Sequence, residues 1–207
     1  NNMEYYYERY YNNDYILIPN PICASVNILI MEFIDGEKFD SMETSLLDKQ
    51  KIIGLLTLFI KDNYYFQDYY HSDLHESNWK VIKYKDFYKL VIYDYGYIST
   101  NNSHLQQAFK DLSYYNDVLD VESIIDILYK NCSVKNLTHE DFKLKFVKYL
   151  NELEYEWREP FCDEVILRMY NFLFLYNIHL NANIFELFIG MILFKKYVIK
   201  KISRYRK

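Results

Sequence analysis

HSDLHESNWKVIKYKDFYKLVIYDYG, from His71 to Gly96, joins the densest polar cluster of the chain to its clearest pair of strands. Its first eight residues crowd two imidazoles, an aspartate, a glutamate and a carboxamide into a chain otherwise dominated by tyrosine, leucine and isoleucine. The apolar runs WKVIKY and YKLVIYD then flank the polar KDF, which is the pattern of a two-strand ribbon ending at Asp94. Upstream, Ile52, Leu56, Phe59 and Ile60 recur at steps of three and four within residues 43–68. That spacing predicts a helix with one apolar face, and the helix delivers the chain to His71.

Working outward, YILIP (Tyr15–Pro19) and NILIMEF (Asn27–Phe33) read as two strands joined by the turn at Pro19, Asn20 and Pro21, and Gly36 breaks the pattern after them. The opening EYYYERYYNND reads as the end of a helix packed on the strands. From about residue 103 onward everything reads as helix. Val121, Ile124, Ile125 and Leu128 make one stripe. Phe142, Phe146, Leu150 and Leu153 make another behind Thr138, a candidate N-cap, and Pro160 suits the first turn of a helix carrying Val165, Met169, Phe172 and Leu173.

With 207 residues, 51% of them apolar and 26% charged, the chain has enough material for one well-buried domain. The net charge of −5 argues against a nucleic-acid partner, which needs a basic face. Cys23, Cys132 and Cys162 follow no metal or redox spacing and read as buried thiols of an intracellular, reducing compartment. No charged start followed by an apolar run marks a signal peptide, and Ile184–Phe194, interrupted by Glu186, is too short to span a bilayer and reads as a core helix. The start at Asn1 and not at Met is what a piece of a longer protein would give. The abundance of Asn, Lys, Ile and Tyr, against four glycines and three prolines, points to an AT-rich genome such as that of a giant virus.

The polar residues gain meaning from their order: His71-x-Asp73, Asn78 five residues after Asp73, and Asp94-x-Gly96 at the close of the ribbon. Phosphoryl transfer needs metal ions to neutralise phosphate oxygens and a carboxylate to orient the attacking hydroxyl. Magnesium prefers hard oxygen ligands, which Asn78 and Asp94 offer, with Asp73 left for the acceptor as catalytic base. His71 is expected to hold the loop by hydrogen bonds, and Gly96 to let the backbone turn sharply after the metal ligand. Taken singly, His-x-Asp and Asp-x-Gly are common turns. A different reading makes His71, Asp73 and His75 a zinc or iron cluster, which leaves Asn78 and Asp94 idle. For His75 itself a loop-bracing hydrogen bond is the simpler role.

The run ILIMEFIDGEKFD, the helix after it, YFQDYYHSDLHESNW and LVIYDYG together resemble the UbiB/ADCK-type atypical kinases, a protein-kinase-like family associated with coenzyme Q. The family loop His-x-Asp-x-His-Pro-Gly-Asn is matched at His71, Asp73, His75 and Asn78, over a region of about residues 27–100. The resemblance implies an α+β, protein-kinase-like fold. Residues 1–34 would be the end of the small lobe, a remnant of its sheet with the hinge, and residues 35–207 a mostly helical C-terminal lobe with a short catalytic-loop ribbon. It further implies ATP and magnesium as cofactors, with adenine on the backbone of Glu32 and Phe33 and with Met31 at the inner end of that hinge. For Met31, plain core packing is the other reading.

The implied activity is magnesium-dependent phosphoryl transfer or ATP hydrolysis, with an acceptor that could be a lipid, a small molecule or a protein. An aminoglycoside- or choline-type phosphotransferase and an inactive pseudokinase scaffold are the alternatives. The loop departs from the family at Glu76-Ser77, where Pro-Gly is expected, and Tyr95 stands for Phe. No strand lysine, phosphate loop or Lys-x-Gly-Gln segment is found before the matched region. The C-terminal KKYVIKKISRYRK carries seven positive charges, and Val198, Ile202 and Tyr205 share one helical face, which suits peripheral contact with an anionic membrane or else a solvated last turn.

Overall fold

The structure, a computed structural model, describes residues 2–117, 120–134, 137–152 and 163–186. These fall into two compact units, residues 2–100 and residues 101–186.

The first unit opens with helix α1 (Asn2–Tyr10). The helix ends where Asn13 Oδ1 accepts from the amides of Tyr15 and Ile16, both at 2.8 Å, an Asx turn that launches strand β1 (Ile16–Leu17). Strands β2 (Pro21–Ala24) and β3 (Leu29–Met31) then form an antiparallel hairpin. The sequence reading instead joined the Tyr15–Pro19 and Asn27–Phe33 strands by the turn at Pro19, Asn20 and Pro21. Pro19 and Pro21 break the chain earlier than expected, so the first strand of the hairpin begins at Pro21, and β1 is free to bond elsewhere.

Helix α2 (Leu46–Phe66) carries the predicted stripe, with Ile52, Ile53, Leu56 and Phe59 buried. Ser45 caps it by accepting from the Asp48 amide at 3.1 Å. After α2 come strand β4 (Tyr69–His71), the ribbon of β5 (Trp79–Tyr84) and β6 (Phe87–Ile92), and β7 (Ile98–Thr100). The ribbon turns at Lys85, whose φ of 52° is the left-handed conformation that a two-residue hairpin turn requires. β1 docks on it in parallel, Ile16 opposite Leu90 and Leu17 opposite Val91, giving the order β1-β6-β5. β4 pairs with β7, which sequence pattern did not disclose. Trp79, Val81, Leu90, Val91 and Ile92 fill the core against α2 and Phe39. At about 1.5–3 kcal/mol for each large side chain removed from water, burial of these residues contributes most to holding the ribbon in place.

The second unit comprises α3 (Ser103–Asp117), α4 (Val121–Lys130), β8 (Cys132–Val134), α5 (His139–Glu152), α6 (Asp163–Leu175) and β9 (His179–Leu180). Its core gathers Phe109, Leu112, Ile124, Ile125, Leu128, Phe142, Phe146, Met169 and Phe172, and Thr138 caps α5 through the Asp141 amide as expected. The expectation of helix throughout fails at β8 and β9, which pair antiparallel. Segments of two or three residues are too short to show a period. Cys132 is buried, but Cys23 is exposed on the hairpin, against the expectation of a buried thiol. Leu153, Pro160, Cys162, most of Ile184–Phe194 and the basic C-terminal stretch lie outside the described residues. Among the described residues, no helix is long and apolar enough to cross a membrane.

Candidate active site

Two segments of the first unit meet at the site: the loop from His71 to Asn78, and the turn from Tyr93 to Tyr97 that follows the ribbon. Backbone pairing holds their outer ends. His71 lies opposite Ile98 across β4 and β7, the Ser72 amide donates to the Tyr97 carbonyl at 3.2 Å, and the Ser72 and Ser99 hydroxyls are 2.6 Å apart. At the inner end the Tyr93 amide donates to the Asn78 carbonyl at 2.9 Å. Backbone bonds alone thus clamp the loop at both ends.

His71, buried, bridges the two segments. Its Nε2 bonds the Asp94 carbonyl, and its Nδ1 accepts from the Asp73 amide at 3.3 Å. A carbonyl facing one nitrogen and an N–H facing the other fix the neutral tautomer with the proton on Nε2. Burial holds the imidazole below its ordinary pKa, although the Asp94 carbonyl works in the other direction. With both nitrogens engaged, His71 has none to give a metal. Among the described residues no group of three His, Cys, Asp or Glu is placed to hold one, so the reading of His71, Asp73 and His75 as a metal cluster is not supported.

Asn78 is buried, and its Nδ2 donates to the Asp73 carbonyl at 2.8 Å, which orients the amide. Its Oδ1 accepts no hydrogen bond among the described residues. The Asp94 carboxylate is exposed, with Oδ1 accepting from the Gly96 amide at 2.9 Å. Gly96 has a negative φ, so a left-handed turn is not the reason for glycine there. A Cβ at Gly96 would lie 3.1 Å from Asp94 Oδ1 and would crowd the carboxylate, so glycine leaves room for it. The Asp73 side chain is 50% exposed, open to an incoming group, and lies 3.7 Å from His75 Nε2. His75 Nδ1 accepts from the Ser77 amide at 3.2 Å, the loop-bracing role expected of it. Ser77 itself has no positive φ, so replacing the expected glycine costs the loop no strain.

Met31, Glu32 and Phe33, expected from the resemblance to form a hinge, sit at the end of the hairpin and are exposed, Phe33 at 83%. Met31, at 37%, is not a core residue, which removes the packing alternative. The Glu32 carboxylate accepts from the Asn20 amide at 3.1 Å and the Glu32 amide donates to the Asn20 carbonyl at 2.8 Å, so this residue also ties the hairpin back on itself. After Phe33 the chain is fastened to the ribbon. Tyr93 Oη donates to the Ile34 carbonyl at 2.8 Å, and Glu37 and Val81 exchange two backbone bonds of 2.9 Å. Gly36 sits in that contact, where a Cβ would come within 3.1 Å of Lys80 Cβ and 3.2 Å of the Val81 carbonyl.

Two contributors were not foreseen. Tyr6 of α1 packs on Tyr95, with ring centres 4.8 Å apart, and Tyr95 in turn lies 5.6 Å from the His71 ring. Asn63 receives the Tyr6 hydroxyl at 2.7 Å. A signal for Asn63 existed in the sequence: it continues the stripe of Ile52, Leu56 and Phe59 by a step of four, so a carboxamide was bound to be buried there and to need partners.

Residues 1–128 match the ABC1 atypical kinase-like domain. No curated protein matches the chain. Among solved structures, the erythromycin complex of Rv3197 from Mycobacterium tuberculosis superposes with a TM-score of 0.51 at 13% identity, covering 75% of this chain and 40% of that one. The Rio2 kinase of Chaetomium thermophilum, solved with ADP, magnesium and phosphoaspartate, gives a TM-score of 0.40 at 13% identity, covering 85% of this chain and 53% of that one. The chain therefore spans about half or less of the length of these neighbours, and the first of them supports the fold alone. With the family match extending over more than half of its length and containing the whole of the loop and the ribbon, the chain belongs to the ABC1 atypical kinase-like family.

Proposed function

We propose that the chain binds ATP with magnesium and transfers a phosphoryl group, with Asn78 and Asp94 as the metal ligands and Asp73 as the base that orients the acceptor hydroxyl. The observation that carries this reading is the arrangement of three oxygen-bearing side chains on two segments bonded directly to one another, the Tyr93 amide to the Asn78 carbonyl and His71 to the Asp94 carbonyl, with the Asn78 carboxamide bonded to the Asp73 carbonyl within the first segment. The donor set suits a hard cation, because a carboxylate and an amide oxygen without a hydrogen-bond partner are what magnesium takes and what a thiophilic metal does not favour. Magnesium bound there would neutralise phosphate charge.

The chain's own residues supply the rest. The Gly96 amide holds one Asp94 oxygen, which leaves the carboxylate aimed and the second oxygen available. Asp73 stays half exposed, so its carboxylate can accept a hydrogen bond from an incoming hydroxyl and orient it. Glu32 and Phe33 are exposed, and with the Glu32 N–H taken by Asn20 an adenine would use the Glu32 carbonyl and the Phe33 main chain, with residues 1–34 read as the tail of a small lobe and residues 35–207 as the large one. Membrane contact through the basic C-terminal stretch remains a separate proposal, tested by salt-sensitive binding to anionic vesicles that deletion of residues 195–207 should remove.

The reading is tested by ATP binding and turnover, with and without magnesium, in the wild type, Asp94→Ala and Asp73→Asn. Magnesium-dependent binding lost in Asp94→Ala, and turnover lost in Asp73→Asn with binding retained, is the expected result. Binding that ignores both magnesium and Asp94 would overturn it. Retained binding without turnover in the wild type would favour the scaffold role.

A further inference from the structure

Helix α1 touches the candidate site at both of its edges. Asn2 Nδ2 donates to the Tyr95 carbonyl at 3.1 Å, one residue after Asp94. Four residues on, and so on the same face of the helix, the Tyr6 hydroxyl shares its one proton between Asn63 Oδ1 at 2.7 Å and, as the longer arm of a bifurcated bond, the Tyr69 carbonyl at 3.3 Å, two residues before His71. One helical turn thereby holds the two segments whose relative position sets Asp73, Asn78 and Asp94. Between these two points the Tyr6 ring covers Tyr95, which is only 6% exposed.

The helix is itself bolted to α2 by buried polar groups, a costly arrangement unless each is satisfied. The Tyr6 hydroxyl donates to Asn63 Oδ1 at 2.7 Å, and Asn63 Nδ2 donates to the Tyr10 hydroxyl at 3.1 Å. That hydroxyl donates to Asp62 Oδ2 at 2.6 Å, which also receives Gln67 Nε2 at 3.0 Å. Burial holds both tyrosines far above their ordinary pKa, so each keeps its donor proton throughout the working range. Apolar packing alone would let α1 slide along α2. A directional chain of hydroxyl, carboxamide and carboxylate selects one register.

We propose that Asn2, Tyr6 and Asn63 are positioning residues for the metal loop, and that this hydroxyl-to-carboxamide relay from α2 through α1 is what sets the Asp94 turn against the His71 segment. The inference rests on the assignment of Asp94 as a metal ligand, and it is tested by one measurement that does not depend on that assignment. Amide hydrogen exchange at Tyr95, Gly96 and Tyr97 is compared in the ligand-free wild type, Tyr6→Phe, Asn2→Ala and Tyr88→Phe. The last variant removes a hydroxyl contact of 2.9 Å to Thr44, remote from α1 and from the loop, and serves as the control for losing one buried hydroxyl. A second measurement titrates Mn2+ with ATP into the same proteins.

Exchange at those three amides should rise about tenfold in Tyr6→Phe and in Asn2→Ala and stay at the wild-type rate in Tyr88→Phe. That factor corresponds to about 1.4 kcal/mol, the scale of one hydrogen bond to the loop. Mn2+ affinity should fall by a similar factor in the first two variants only, with thermal midpoints close to that of the control. Equal exchange in all four proteins would overturn the proposal, as would equal acceleration in Tyr88→Phe. If the wild type takes up no Mn2+ with ATP, the metal assignment fails, and the exchange comparison still decides whether α1 positions the turn. Should Tyr6→Phe fail to fold, Asn2→Ala carries the test alone, since Asn2 is exposed and its loss opens no cavity.

Discussion

Both ring nitrogens of His71 are engaged, one by each segment of the site, so protonation would place a second proton on Nδ1 against the Asp73 N–H. In the unfolded chain the ring has its ordinary pKa of 6.5, and burial lowers the folded value. The unfolded state therefore binds the proton first. The stabilising contribution is complete above about pH 6.5 and is lost as the pH falls below it. Unfolding free energies at pH 7.5 and 5.5 should differ more in the wild type than in His71→Gln, and an equal difference would show that the ring does not titrate this way. His71→Ala should cost about 2–3 kcal/mol at pH 7.5 in denaturant unfolding, because a buried ring is removed and a part-buried carbonyl and amide lose their partner together. At the residue scale the sequence was informative wherever chemistry limits the choice of side chain. Glycine at 96 was expected for backbone freedom, yet space for a carboxylate two residues earlier explains it.

The two glycines of the first unit's other elements make a contrasting pair. Gly54 lies inside α2 with nothing within 4 Å of an added Cβ, whereas Gly36 is wedged against Lys80 Cβ and the Val81 carbonyl. Alanine at 54 should stabilise the chain by about 1 kcal/mol through helix propensity alone. Alanine at 36 should destabilise it by about 1–2 kcal/mol, because it must push on the Glu37–Val81 bridge that fastens the segment after β3 to the ribbon. Thermal or denaturant unfolding of the two variants checks the opposite signs. Helix α2 and the ribbon were legible because each is long enough to repeat its period several times. β1 was read as a strand without its parallel partner, and β4, β7, β8 and β9 were not read at all, since each has two or three residues and gains its stability from a partner distant in the chain. α1 was expected as a helix but given no task. Its contacts to the Tyr69 and Tyr95 carbonyls depend on which turn of the helix lies over the loop, and a run of tyrosines does not announce that.

At the scale of the molecule, membership of the ABC1 atypical kinase-like family accords with a fold in which the helix, loop and ribbon order read from sequence is realised within residues 2–100. A ligand that binds only the folded state raises stability by mass action, by about 2.7 kcal/mol at a concentration 100 times its Kd. ATP with magnesium should produce that increase in the wild-type chain and none in Asp94→Ala, as read by thermal unfolding. The net charge of −5 makes a compact nucleotide with its own metal a better-suited anion than an extended polyphosphate backbone.

The proposal that Asn78 and Asp94 share one cation is put to the sharpest test by paramagnetic relaxation. Mn2+ added with ATP to the isotope-labelled chain should broaden the amides of Asp73, Asn78 and Gly96 before any others, and Asp94→Ala should remove the effect. Broadening centred elsewhere, or broadening at these amides that survives Asp94→Ala, would contradict the account.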